Sequence, residues 1–152
     1  MKKIIFLIFL FSFVILNVYS QNIQIESITN RGTSLLNNPV PNTFRLMHNN
    51  SQGNPVYNDG AGVWVVSNNG IITYAEFEVQ VSIKTVDESF TISGLITDYF
   101  KNNDWELLGG IFYDNGGFQM YWKNGIRVVI EQIFFPEIKI SVNFYEGTND
   151  PL

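Results

Sequence analysis

Between Ile71 and Lys84 the chain alternates apolar and polar residues more cleanly than anywhere else in its length. Ala75, Phe77, Val79, Val81 and Ile83 fall on one side, and Glu76, Glu78, Gln80, Ser82 and Lys84 on the other. Period two is the side-chain repeat of an extended strand. A strand with one apolar and one polar face belongs in an antiparallel sheet covered on a single side, because parallel sheets are covered on both and carry continuous apolar runs.

The neighbouring segments extend this expectation. Val63-Trp64-Val65-Val66 and the run from Ile71 flank Ser67-Asn68-Asn69-Gly70, and Asn-Gly accepts the positive φ of a hairpin turn. Asp87-Glu88-Ser89 then opens a helix: the acidic residues suit its positive end and Ser89 can cap it. Ile92, Leu95, Ile96, Tyr99 and Phe100 form its apolar stripe. Lys101 sits in the last turn, Asn102-Asn103 ends the helix, and Gly94 is expected to permit close packing on the sheet. After Trp105, four strand-like runs follow: Glu106 to Tyr113, Phe118 to Lys123, Ile126 to Phe134 and Glu137 to Tyr145. Asn115-Gly116-Gly117 and Asn124-Gly125 mark two of their turns, and Pro136 breaks the last pair. In the final run Ile138, Ile140, Val142 and Phe144 face inward.

The expected fold is therefore α+β: an antiparallel β-sheet of one β-hairpin and a four-stranded meander, with one helix packed on one face. Over Ile71 to Tyr145 this element order resembles cystatin-like and TATA-binding-protein-like α+β folds, in order alone and with no shared motif. Such folds host many functions. The first part of the chain is less regular. Asn22-Ile23-Gln24-Ile25-Glu26-Ser27-Ile28 alternates like a short strand, and Thr43 to Met47 reads as another. Asn30 to Asn42 is interrupted by Gly32, Pro39 and Pro41, and Asn49 to Gly62 reads as a long polar loop. The division is residues 1–20 as a signal peptide, 21–61 as a polar N-terminal arm and loop, 62–147 as the α+β core domain and 148–152 as a polar tail. No internal repeat is visible.

The signal-peptide reading rests on Lys2 and Lys3, the apolar run Ile4–Leu16 and the small-residue site Val18-Tyr19-Ser20. As a helix that run is about 20 Å long, short of a ~30 Å hydrocarbon core. The chain has no cysteine, so no lipoprotein anchor is expected, and a small exported domain without disulfides must fold by burial alone. About 130 residues after cleavage suffice for one core. The expected product is periplasmic or secreted, with no stable membrane insertion. Removing Lys2 and Lys3 from nine basic residues leaves seven against 14 acidic ones, a mature charge of −7. With no basic cluster to neutralise phosphates, nucleic acid is excluded as a partner.

Chemistry-bearing residues are sparse. His48 is the single histidine, with Ser51 and Asp59 nearby. It reads as a base in an Asn-rich loop or as a solvated side chain, and one His without Cys does not make a zinc site. Glu76 and Glu78 lie about 6.6 Å apart along one strand face. They point the same way, whereas glycosidase carboxylates flank a sugar from opposite sides. Asn54, Asn58, Asp59 and Gly60 sketch a calcium loop, but Val56 occupies a ligand position. No catalytic residue, metal site or cofactor is expected. The aromatic residues carry the binding expectation, because Trp and Tyr make platforms for sugar rings and anchor protein interfaces. Trp64, Tyr74, Tyr121, Trp122 and Tyr145 are the candidate binding residues, with Tyr74, Tyr121 and Tyr145 on the open sheet face. Core placement of Trp64, Trp105 and Trp122 is the competing expectation. The reading is an exported protein- or glycan-binding module, of a size and acidity that fit an inhibitor or immunity protein. The alternative is a small hydrolase of cell-wall or glycan material using carboxylates such as Glu76 and Asp59.

Overall fold

The computed structural model describes residues 24–79 and 83–147. The signal segment (residues 1–20), the alternation at Gln80–Ser82 and the tail at 148–152 lie outside the described residues. Helix α1 (residues 24–35) leads into β1 (Arg45–Asn49), β2 (Pro55–Asn58), β3 (Val63–Asn68) and β4 (Ile71–Glu78). Helix α2 (Val86–Asn102) precedes β5 (Glu106–Tyr113), β6 (Gly116–Lys123), β7 (Ile126–Ile133) and β8 (Lys139–Glu146). The strands form one eight-stranded sheet in the order β1-β2-β3-β4-β8-β7-β6-β5, antiparallel at every junction.

The expected hairpin, single helix and four-stranded meander is corrected in three places. The polar arm contributes a second helix in place of the strand expected at Asn22–Ile28. There Ile25, Ile28, Thr29, Gly32, Leu35 and Leu36 make a helical stripe, and Ile25, Leu35 and Leu36 are buried in the core. The long loop at Asn49–Gly62 contains β2, whose Val56 and Tyr57 pair with Val66 and Val65. The hairpin and the meander are not separate units, because β4 pairs with β8 from Tyr74↔Tyr145 to Glu78↔Ser141. Each half of the described chain is thus a helix followed by a four-stranded meander, and the halves meet antiparallel at the β4–β8 seam, related by an approximate twofold normal to the sheet.

Both helices lie on the same face. Val63, Val65, Ala75, Phe77, Val128, Ile130, Ile140, Val142 and Phe144 point at them and form the core with Ile92, Ile96 and Phe100 of α2. Phe100 stacks on Tyr121 at 5.2 Å and meets Trp105 edge-on at 5.1 Å. Helix α1 approaches most closely at Gly32: a Cβ there would lie 2.4 Å from the Phe144 ring, so only glycine fits. Gly94 of α2, by contrast, is exposed and has nothing within 4 Å of its would-be Cβ, which corrects its expected packing role. The helix cap is also corrected. Thr85 is the N-cap, accepting from Glu88 N, while Ser89 is buried inside the first turns. Glu88 in turn accepts from Lys84 N at 2.7 Å, so the cap is closed in both directions. Asn69-Gly70 and Asn124-Gly125 both adopt positive φ, at 51° and 81° and at 52° and 79°, as two-residue hairpin turns require.

Candidate functional site

Strand register assigns the residues on the face away from the helices. One cross-strand row runs His48, Val56, Val66, Tyr74, Tyr145, Arg127, Trp122, Glu106. The next runs Arg45, Asn58, Trp64, Glu76, Asn143, Val129, Met120, Gly109. A third runs Glu78, Ser141, Glu131, Phe118, Ile111. This face is about 34 Å wide, from seven strand spacings of ~4.8 Å. Both described helices lie on the opposite side, so no described element covers it.

This face carries a concavity of about 630 Å³ over β6, β7 and β8. Phe118, Met120 and Val129 line its apolar part, and Arg127, Glu131, Asn143 and Tyr145 bring polar groups to it. Met120 is only 4 % exposed and forms the floor. The concavity ends at the β4–β8 seam, where Tyr74 and Tyr145 pack at 4.9 Å with planes inclined at 50°. The Tyr74 hydroxyl lies 2.9 Å from Glu76 Oε2 and 2.8 Å from Asn143 Oδ1, and its single proton is shared between these acceptors. The Asn143 amide nitrogen donates to Ser141 Oγ and Val129 O, which fixes the direction of its carbonyl.

Electrostatics keep both tyrosines protonated. Burial raises the Tyr145 hydroxyl above its ordinary range. The Glu131 and Glu76 charges add to this, against smaller lowering by Tyr74 and Arg127. Tyr74 is pushed up further, by burial and then by Glu76 and Tyr145. Both present neutral O–H groups and aromatic faces at physiological pH.

The candidate binding residues divide. Trp64, Tyr74, Trp122 and Tyr145 lie on the open face, and register places Tyr74, Tyr145 and Trp122 in one row. Tyr121 has the opposite parity: it is fully buried beneath α2, stacked on Phe100. Trp105 is in the core, whereas Trp64 and Trp122 are half-buried outside it. Arg127, Glu131, Asn143 and Met120 belong to the concavity and were not singled out in the sequence. Their signal was the alternation of β7 and β8, read against the register of β4.

The other candidates are scattered. His48 is exposed on β1, four strand spacings, or about 19 Å, from β8. Asp59 is engaged within its own half. Its Oδ1 accepts from Ala61 N at 2.7 Å and Val63 N at 3.0 Å, and its Oδ2 accepts from Arg31 Nη2 at 2.7 Å. Burial opposes ionisation of this carboxyl, but these donors outweigh it and hold the pKa below the usual value. The calcium-like loop spends its oxygens on itself, with Asn58 Oδ1 accepting from Gly60 N at 2.7 Å. Glu78 is exposed on the third row, outside the concavity.

No family model matches the chain, and no curated protein or solved structure matches it significantly.

The arrangement offers aromatic surface, a guanidinium, a carboxylate and an oriented amide around an apolar floor. That is the composition of a recognition surface: Trp, Tyr and Arg predominate among residues that carry binding energy, and a few convergent polar groups on an apolar lining set orientation.

Proposed function

We propose that the protein is an exported, non-enzymatic recognition module that binds a protein partner through its open sheet face. The observation that carries this reading is the uncovered face itself. Trp64, Tyr74, Tyr145, Arg127 and Trp122 lie across its central strands, beside a concavity floored by Met120. A face this wide with an open concavity suits a partner's surface better than an enclosed small molecule. Export is supported by Lys2, Lys3, the apolar run Ile4–Leu16 and the small residues at Val18-Tyr19-Ser20. The hydrolase reading is weaker, because Asp59 is committed to Arg31 and two backbone N–H groups, and Glu76 accepts the Tyr74 hydroxyl.

The test is an affinity capture from the native envelope with residues 21–152 as bait, beside a Tyr145→Ser variant and a Glu131→Lys variant. The expected result is one protein retained by the wild type and lost from both variants, with all three baits folded by circular dichroism. Retention of a glycan alone, or capture that ignores both substitutions, overturns the protein-binding reading. Release of soluble fragments from envelope material would replace it with the hydrolase.

A further inference from the structure

The two outer strands of the sheet are unlike. β1 has five residues, is bulged between Leu46 and His48, and carries Arg45 and His48. Shortness, bulging and charge are the means by which natural sheets discourage a further strand. β5 has eight residues and no charge after Glu106, and its irregularity is confined to Leu107–Gly109. No described strand pairs with its outer edge. Leu107, Ile111, Phe112 and Tyr113 are 49 to 58 % exposed, and alternation sends Ile111 and Phe112 to opposite faces. At the same corner Phe90 packs on Phe112 at 6.4 Å and Phe134 at 5.4 Å while remaining 48 % exposed, and Phe135 is 78 % exposed. Among the described residues the sheet therefore ends at β5 in a backbone edge without a strand partner, flanked by apolar side chains on both faces.

We propose that β5 is a homodimerisation edge, at which two copies pair β5 to β5 antiparallel about a twofold normal to the sheet. Identical strands paired antiparallel are self-complementary, so each copy supplies what the other lacks and the contact closes as a dimer. The blunted edge at β1 stops growth at two. The exposed parts of Leu107, Ile111, Phe112, Tyr113, Phe90 and Phe135 offer on the order of 600 Å² per copy at roughly 200 Å² per side chain, and the backbone edge of β5 adds to it. That is the small end of specific interfaces, whose standard size is ~800 Å² per partner, and it suits a reversible dimer. The acidity of the mature chain opposes self-association in general; no charge lies between Leu107 and Tyr113, so the repulsion falls on the two ends of the contact, where Glu106 of one copy approaches Asp114 of the other, and spares its centre. A twofold normal to the sheet keeps all helices on one side and both open faces on the other. The two concavities then share one surface, with the β7 strands of the two copies about 24 Å apart across five strand spacings. A partner with repeated epitopes would be held at both, with the gain of an intramolecular second contact. The inference does not require the recognition reading to hold.

Sedimentation velocity of residues 21–152 over a wide concentration range tests it. The expected result is a reversible doubling of mass. Phe112→Lys and Ile111→Lys, on opposite faces of β5, each weaken the dimer by at least about tenfold, equivalent to ~1.4 kcal/mol, with unchanged far-ultraviolet circular dichroism. Leu46→Lys on β1 leaves it intact. Should one lysine variant unfold, the other still decides, since the two side chains pack on different sides of the sheet. A monomer at every concentration overturns the proposal, as does a dimer indifferent to both β5 substitutions or sensitive to Leu46→Lys alone. A monomer that instead takes up an added extended apolar peptide along β5 also overturns self-pairing.

Discussion

The half built from α1 and β1–β4 is held by side chains bonded to loop backbone. Asn50 Oδ1 accepts from Gln52 and Asn54, Asn58 closes on Gly60 and Val63, and Asp59 ties Ala61, Val63 and Arg31 together. The half built from α2 and β5–β8 has three eight-residue partners in its meander besides β5 itself, and its helix is fixed by rings, Phe100 on Tyr121 and Trp105, and Phe90 on Phe112 and Phe134. Both halves contribute to one apolar core across the seam, but the loops of the first are fixed by directed polar contacts and the helix of the second by ring contacts. The first kind depends on ionisation and on individual atoms; the second is spread over many contacts and insensitive to pH.

The largest effect should come where the two halves are joined. Phe144 is fully buried, meets Phe77 at 5.6 Å and touches Gly32 of α1. Phe144→Ala should destabilise the protein by about 3–5 kcal/mol. In urea melts followed by tryptophan fluorescence and by circular dichroism, the two signals should still coincide. Separate transitions would show that the halves fold independently.

Asp59→Ala acts on the polar half alone. It removes the Arg31 ion pair and two N–H contacts from a side chain that is 6 % exposed, and about 2 kcal/mol of lost stability is expected. The pH dependence has a defined sign. Because the folded pKa lies below the ordinary aspartate value of 3.8, this stability is present above pH ~4 and is lost as pH falls through the folded pKa. Asp59→Asn should flatten that acid limb in urea titrations. An unchanged limb would assign acid sensitivity to other carboxylates.

Thr85→Ala tests the other half, removing the cap of α2 at a cost of about 1 kcal/mol, read as a lowered melting temperature; Thr85→Ser should restore most of it. The smallest effect is expected at the seam hydroxyl. Tyr74→Phe leaves Asn143 and Glu76 without their shared donor, for ~1 kcal/mol or less at neutral pH. With a folded pKa raised above 10.0, Tyr74 stabilises fully below the unfolded pKa, and the contribution fades as pH rises past it. The variant should therefore show a shallower alkaline decline, the remainder belonging to the other raised tyrosines, Tyr145 among them. A wild-type alkaline limb in Tyr74→Phe would place that titration elsewhere.

The strand parts of the fold were legible where local rules act alone. Alternation and Asn-Gly turns mark β3, β4, β6 and β7, and the stripe Ile92 to Phe100 marks α2. α1 was misread because a seven-residue window at Asn22–Ile28 satisfies period two by chance, while its helical stripe, Ile25 to Leu36, continues across Gly32. β2 was hidden by the Asn, Gly and Pro residues around it, and its partner β3 supplies what its own composition lacks. The candidate site was partly legible. Alternation separated Phe118, Met120 and Trp122 from Gln119 and Tyr121, but which set meets the helices is decided by Phe100, whose ring selects Tyr121. The seam that joins Tyr74 to Tyr145 depends on pairing between residues some seventy positions apart, which no local pattern encodes.

That seam also dictates an order of assembly. During synthesis α1 and β1–β4 emerge first, yet the inner edge of β4 has no partner until β8, the last strand described, has left the ribosome. From the completion of β4 until β8 is made, roughly the second half of chain elongation, Ala75 and Phe77 sit on a strand whose hydrogen-bonding edge is open. Pairings this distant are slow to form and leave edges exposed to other chains. A sheet that cannot close before its final strand stays unlocked until the last strands of the chain have been made.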